Sequence, residues 1–197
     1  MVRLLFRYQV VIIGLLISKM SLYSLPTLAQ IIPDNTLGNE ASVLVPNANI
    51  DGVLVDFIDG GATRETNLFH SFEQFNINES QQVYFNSPNG IETILTRVTG
   101  NDTSDILGTL GVTGSADLFL LNPNGIIFGD NAQLDVGGSF VATTADAFQF
   151  DIIGTFSGRD PEPPSPLLTI SPSAFLFDSD FAGHWWGTDS LFQPCSG

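Results

Sequence analysis

Residues 118–129 read LFLLNPNGIIFG, and the fold turns on them. An apolar run, Leu118-Phe119-Leu120-Leu121, meets a polar corner, Asn122-Pro123-Asn124-Gly125, and a second apolar run, Ile126-Ile127-Phe128, leaves it. Runs this short suit strands rather than helices. In the corner, proline presets φ near about −65° at the second position of a turn. Asn122 can accept a hydrogen bond from the backbone two residues on, and Gly125 relieves crowding where the chain departs. Residues 167–178 repeat the scheme as LLTISPSAFLFD, residues 83–95 as VYFNSPNGIETIL, and residues 42–50 more poorly as SVLVPNANI. Their prolines, Pro46, Pro88, Pro123 and Pro172, stand 42, 35 and 49 residues apart. Strand-and-turn repeats of roughly 20 to 50 residues mark propellers or solenoids. The unequal intervals predict coils of about 20 to 25 residues, two per interval and some seven in all. Asn and Ser at equivalent corners would then stack in ladders.

Outward from this stretch the same texture continues. From Ile31 on, apolar residues alternate or fall in short runs rich in β-branched and aromatic side chains, as in Val83-Tyr84-Phe85 and Thr93-Ile94-Leu95-Thr96-Arg97-Val98. Gly, Asn, Asp or Pro interrupts them repeatedly, and no convincing helix is present. The chain therefore reads as all-β. A β-sandwich would want two-residue hairpin turns, whereas the signal here is a Pro-Asn-Gly corner inside a repeat. That favours a β-solenoid.

Composition narrows the function. The 197 residues are 43% apolar and 14% charged, too apolar for a disordered chain and the right length for one domain. Six basic residues face 21 acidic ones, a net charge of −15. Three of the six, Arg3, Arg7 and Lys19, precede the first acid, Asp34; beyond residue 29, three arginines face 21 acids and no lysine remains. Such a surface repels phosphate backbones, so nucleic acid is excluded as a partner. A lone Cys195 excludes an intramolecular disulfide and a cysteine metal cage. At the start, Arg3 and Arg7 precede an uncharged run over residues 8–18, shorter than the roughly 20 residues that span a bilayer. Thr27 and Ala29 then supply small residues for cleavage between Ala29 and Gln30. Residues 1–29 are expected to be an export signal, placing the mature chain outside the cytoplasm.

Two stretches, GGATRETNLFHSFEQFNI at 60–77 and ILTRVTGNDTSDILGTLGVTGSADLFLLNPNGIIFGDNAQLDVGGSFVATTADAFQF at 94–150, carry a resemblance. Together with the intact NPNG they closely resemble the filamentous haemagglutinin N-terminal domain, also called the haemagglutination activity or two-partner secretion domain, in the version common in cyanobacterial exoproteins. The match runs over residues 32–150 and continues through 163–177. The resemblance implies a right-handed parallel β-helix serving as the secretion module of a large exoprotein or surface adhesin. Its implied partner is an outer-membrane β-barrel transporter with periplasmic POTRA domains, and Asn122, Pro123, Asn124 and Gly125 become the motif for transporter recognition and folding. Glycans on a host or cell surface are a second expected partner, and the chain is expected to be a secreted or surface-located monomer.

The rivals are a carbohydrate-active or carbohydrate-binding β-helix and a truncated remnant of a longer filamentous adhesin. Lyases of that fold need a basic residue and carboxylates around calcium, but only Arg64, Arg97 and Arg159 follow the leader. Hydrolases need carboxylates converging within about 5 to 10 Å. Asp51, Asp56 and Asp59 cluster, as do Asp102 and Asp105, beside turn residues where solvated acids are ordinary. No nucleotide, zinc-protease or serine-hydrolase motif occurs, and Gly108, Gly111 and Gly114 read as loop or bulge glycines. His70 alternates with apolar neighbours and reads as structural. The expectation is a non-enzyme without cofactor or metal. Residues 30–160 form the domain, and 161–197 hold a proline-rich link, an optional last coil to 177 and an irregular, truncated tail. Pro161, Pro163, Pro164 and Pro166 should keep that link extended and solvated.

Overall fold

The computed structural model describes residues 31–50 and 52–177. The export signal, the tail from residue 178, His184 and Cys195 lie outside these residues. After β1 (Ile31–Pro33) and a single 3-10 turn at Gly38–Glu40, β2 (Ser42–Ile50) and β3 (Val53–Gly60) form an antiparallel hairpin. Next come β4 (Ala62–Arg64), β5 (Asn67–Phe75), β6 (Gln82–Asn86), β7 (Thr93–Val98), β8 (Ser104–Ile106) and β9 (Thr109–Thr113). The winding continues through β10 (Asp117–Leu121), β11 (Ile126–Phe128), β12 (Gln133–Asp135) and β13 (Phe140–Thr143). Outside the coils lie β14 (Ala147–Phe150), β15 (Gly154–Ser157) and β16 (Ala174–Leu176).

The coils stack three parallel faces. The first face holds β5, β7, β10 and β13, and the third holds β3, β6, β9 and β12. A narrow second face pairs β8 with β11, and Ile77, one coil below, bridges to Ile106. Asn67 stands beside Thr93, Thr93 beside Asp117, and Leu118 beside Phe140, steps of 26, 24 and 22 residues. The expected coil length is therefore correct, and the solenoid prevails over the sandwich.

The expected count of seven coils is not. Among the described residues the solenoid has four levels, because the segments at both of their ends leave the winding. At the first end, β1 and β4 pair antiparallel with β5, and β2 pairs antiparallel with β3, closing the stack. Pro46 and the positive φ of Asn47 (57°) break the β2 ladder into a bulge, a common guard against further strands. At the other end, β14, β15 and β16 form an antiparallel sheet of their own. Nor do the four proline segments occupy equivalent corners. Pro46 lies within β2, Pro88 in the corner from third face to first, Pro123 in the corner from first face to second, and Pro172 just before β16. Proline suits any tight turn, so its recurrence here does not measure the coil. A polar ladder does exist, in a different place: Asn86 Nδ2 donates to Asp59 Oδ1 (2.7 Å) and Thr113 Oγ1 donates to Asn86 Oδ1 (3.2 Å) on successive coils of the third face.

Two cores result. Inside the coils, Ile58, Leu68, Phe72, Phe85, Ile94, Leu110, Leu118 and Leu120 pack where alternate residues of each strand point inward. The outward side of the first face is also buried: Phe69 and Leu95 pack against Phe148, Phe150 and Phe156 of the extra sheet and against Leu168. This explains why every residue of β7, Thr93–Val98, is buried. Glu162, Pro163 and Pro166 of the proline-rich link are exposed as expected, but Pro164 is buried, and the link and the segment after it are tied to the solenoid. Arg64 Nη2 donates to Pro164 O (2.9 Å), and Asn67 Nδ2 donates to Leu168 O (2.9 Å) and Ile170 O (2.7 Å). Prolines do not donate, but their carbonyls accept, and Leu168 is wholly buried.

Candidate functional site

β10 delivers Asn122 to the corner between the first and second faces. Its backbone carbonyl accepts from Gly125 N (3.1 Å), closing the turn that Pro123 presets. Its side-chain Oδ1 accepts from Asn124 N (2.9 Å), as the sequence predicts. Gly125 adopts φ 120°, a conformation other residues avoid. The side chain does more than shape its own turn. Asn122 Nδ2 donates to Asp102 O (3.0 Å) and Ser104 Oγ (2.9 Å) on the coil below, while Asn122 N donates to Thr143 O (3.1 Å) on the coil above. Asn124 Nδ2 adds a bond to Gly100 O (2.7 Å). Asn122 is fully buried with each of its polar groups bonded, so it joins three successive coils. The extra sheet closes over the same corner: a methyl on Gly158 would come within 3.0 Å of Pro123 Cδ.

Sequence reasoning missed a second construction beside this corner. Arg97, from the outward row of the first face, is wholly buried. Its Nε donates to Ser71 Oγ (2.9 Å), Nη1 to Ser157 O (3.0 Å) and Nη2 to Thr36 Oγ1 (2.8 Å), and its guanidinium lies 4.1 Å from the Phe156 ring centre. Asp34 faces the same hydroxyls, accepting from Thr36 Oγ1 (2.7 Å), Ser71 Oγ (2.8 Å) and Thr99 Oγ1 (2.6 Å). The network ties the first described strand, two coils and the extra sheet together. Burial lowers the Arg97 pKa to about 10, opposed by the charges of Asp34 and Glu162. For Asp34, burial alone would raise the pKa, but bonds from Thr99, Thr36 and Ser71 outweigh it and hold the carboxyl below its usual range. The one signal available in the sequence was an arginine inside an otherwise uncharged strand, Thr93–Val98.

The other candidate residues do not converge. His70 points into the solenoid, its Nδ1 3.1 Å from Ser42 Oγ, and burial lowers its pKa to about 3, so it is neutral. Asp56 accepts from Asn47 N and Gln81 Nε2, Asp59 from Asn86, and Asp102 from Gln74. Among the described residues no three His, Cys, Asp or Glu side chains gather as a metal site would require. Gly108 lies at a corner, Gly111 within β9, and Gly114 in the following turn with φ 110°.

Comparison with known proteins agrees with this architecture. A family model of the TPS secretion domain matches residues 29–181. The chain belongs to the TPS secretion domain family. Among curated proteins, the TPS domain is similar to a heme/hemopexin-binding protein of Haemophilus influenzae, 32% identical over 120 residues. That match covers 60% of this chain and 13% of the relative. A second Haemophilus influenzae protein of the same description is 36% identical over 75 residues, covering 38% of this chain and 8% of the relative. This TPS domain thus spans a small fraction of the relatives it matches. Chains bearing it are exoproteins of two-partner secretion, exported through the periplasm to the cell surface or beyond.

Proposed function

We propose that this TPS domain is a non-enzymatic secretion module, read by a cognate outer-membrane β-barrel transporter through that partner's periplasmic POTRA domains, and that it folds as it emerges. Residues 1–29 act as its export leader, residues 30–160 as the module, and the whole serves a monomeric surface adhesin that contacts glycans. The observation that carries the reading is Asn122. In the folded domain its side chain is consumed by bonds to the coil below and to its own turn, so it is available for recognition only before the coils close. Asn122, Pro123, Asn124 and Gly125 therefore work as a folding corner whose closure draws the chain forward. Each coil buries its apolar face only against a neighbour, which keeps partial chains unfolded in transit. The engagement of Asp56, Asp59 and Asp102 in structural bonds supports a role without catalysis.

The test is co-expression with and without the transporter, blotting periplasm and medium. The expected result is release only with the transporter. Equal release in its absence removes the two-partner reading.

A further inference from the structure

The outer side of the third face presents three rows that neither the secretion role nor the cores account for. Register aligns Val45, Phe57, Tyr84, Gly111 and Asp135 in the central row. Gly111 leaves this row without a side chain, and Tyr84 lies along the gap: a Cβ at Gly111 would collide with Tyr84 Cδ1 and Cε1. The phenol then reaches Asp135 on the far side, donating to its Oδ2 at 2.8 Å. Tyr84 is thus laid along the sheet instead of standing up from it, half-buried, with the half-buried Phe57 ring 6.5 Å away and Val45 39% exposed. On one flank run Asp59, Asn86 and Thr113, already joined by hydrogen bonds. On the other run Gln82, Thr109 and Gln133, one per coil, whose side chains make no hydrogen bond to other described residues.

The geometry points to this face as a binding platform for a neutral, extended polysaccharide. This deepens the adhesin part of the reading above and rests on it. An aromatic ring lying on a flat surface offers its electron-rich face to the C–H bonds of a pyranose ring. Amide and hydroxyl groups on either side supply both donors and acceptors for sugar hydroxyls. Parallel strands about 4.8 Å apart place equivalent groups about 9.6 Å apart across two steps, the length class of a disaccharide in an extended chain. Charge selects among glycans. Among the described residues the face carries Asp59 and Asp135 and no cation; of the described arginines, Arg64 and Arg159 are held elsewhere by Glu40 and Asp146, and Arg97 is buried. Uronate or sulfate would be repelled, so the ligand is uncharged.

The experiment is affinity electrophoresis of the full secreted chain through gels containing hydroxyethyl cellulose, galactomannan or heparin. Retardation by at least one neutral polymer and none by heparin is expected. Tyr84→Ala should weaken retention about tenfold, Tyr84→Phe should retain it, and Gln82→Ala should weaken it without lowering the melting temperature. Thermal melts of each variant separate lost binding from lost folding. Absence of retardation on both neutral polymers, equal retention of Tyr84→Ala, or stronger retention on heparin would each overturn the platform. Blots for transporter-dependent release, run on the same variants, are expected to be unchanged, so a failed platform and a failed secretion reading give different results.

Discussion

Replacing Asn122 by alanine isolates what the corner contributes. The side chain makes three bonds, two to the coil below and one within its own turn, reaching Asp102 O, Ser104 Oγ and Asn124 N. Each is worth about 1 kcal/mol net. Alanine fills none of these roles and leaves the buried Ser104 hydroxyl without its donor. The expected loss is about 3 kcal/mol, a large share of the 5 to 15 kcal/mol typical of a domain. Pro123→Ala should cost under about 1 kcal/mol, since it changes mainly the entropy of the unfolded chain. Urea unfolding of the mature chain, fitted with a common slope, gives both values. In the transporter assay the Asn122→Ala chain should accumulate in the periplasm, with total synthesis and leader cleavage unchanged. A destabilisation below about 1 kcal/mol would refute the reasoning about buried bonds. A normal release of a clearly destabilised chain would confine the corner to stability.

Four further outcomes are expected. The unfolded chain protonates His70 near pH 6.5 and the folded chain only near about 3, so stability falls as pH drops through that window. At pH 5 the cost is about 2 kcal/mol, which should vanish from the pH slope of His70→Leu in parallel urea titrations. Asp34, held below its usual pKa, stabilises above the carboxylate range and loses that contribution as acid protonates it; Asp34→Asn should flatten the acid limb of the same titration. Arg97→Met should lower stability by at least about 3 kcal/mol, and Arg97→Lys should not rescue it, because one ammonium cannot reach Ser71, Thr36 and Ser157 as the planar fork does. Leu168→Ala should cost about 2 to 4 kcal/mol and open residues 161–170 to limited proteolysis.

The residues that were legible in advance are those whose meaning is local. Asn122 accepting from Asn124 N follows from the side-chain length of asparagine and the φ of the next proline, and the structure shows that bond. His70 as a structural residue followed from alternation, and it is buried within β5. Reading the coil number from proline spacing failed, because the prolines serve turns of different kinds. The Arg97 network was not visible, since its partners Thr36 and Ser157 lie 61 and 60 residues away. The docked link was hidden for the same reason: Asn67 and Leu168 are 101 residues apart.

Sequence alone was enough to establish the β-class, the solenoid, its coil length and the chemistry of single turns, because alternation and turn preferences act over a few neighbouring residues. Only the tertiary structure decided how many coils form, which strand closes each end, and that an extra sheet covers the first face. Those outcomes depend on which apolar surfaces meet after the chain has wound back on itself. Phe69 and Leu95 would face water in a bare solenoid; the extra sheet, with Phe148, Phe150 and Phe156, and Leu168 from the link bury them. Tyr84 takes its place along the third face for the same kind of reason, because a glycine one coil above and an aspartate two coils above happen to stand in its row.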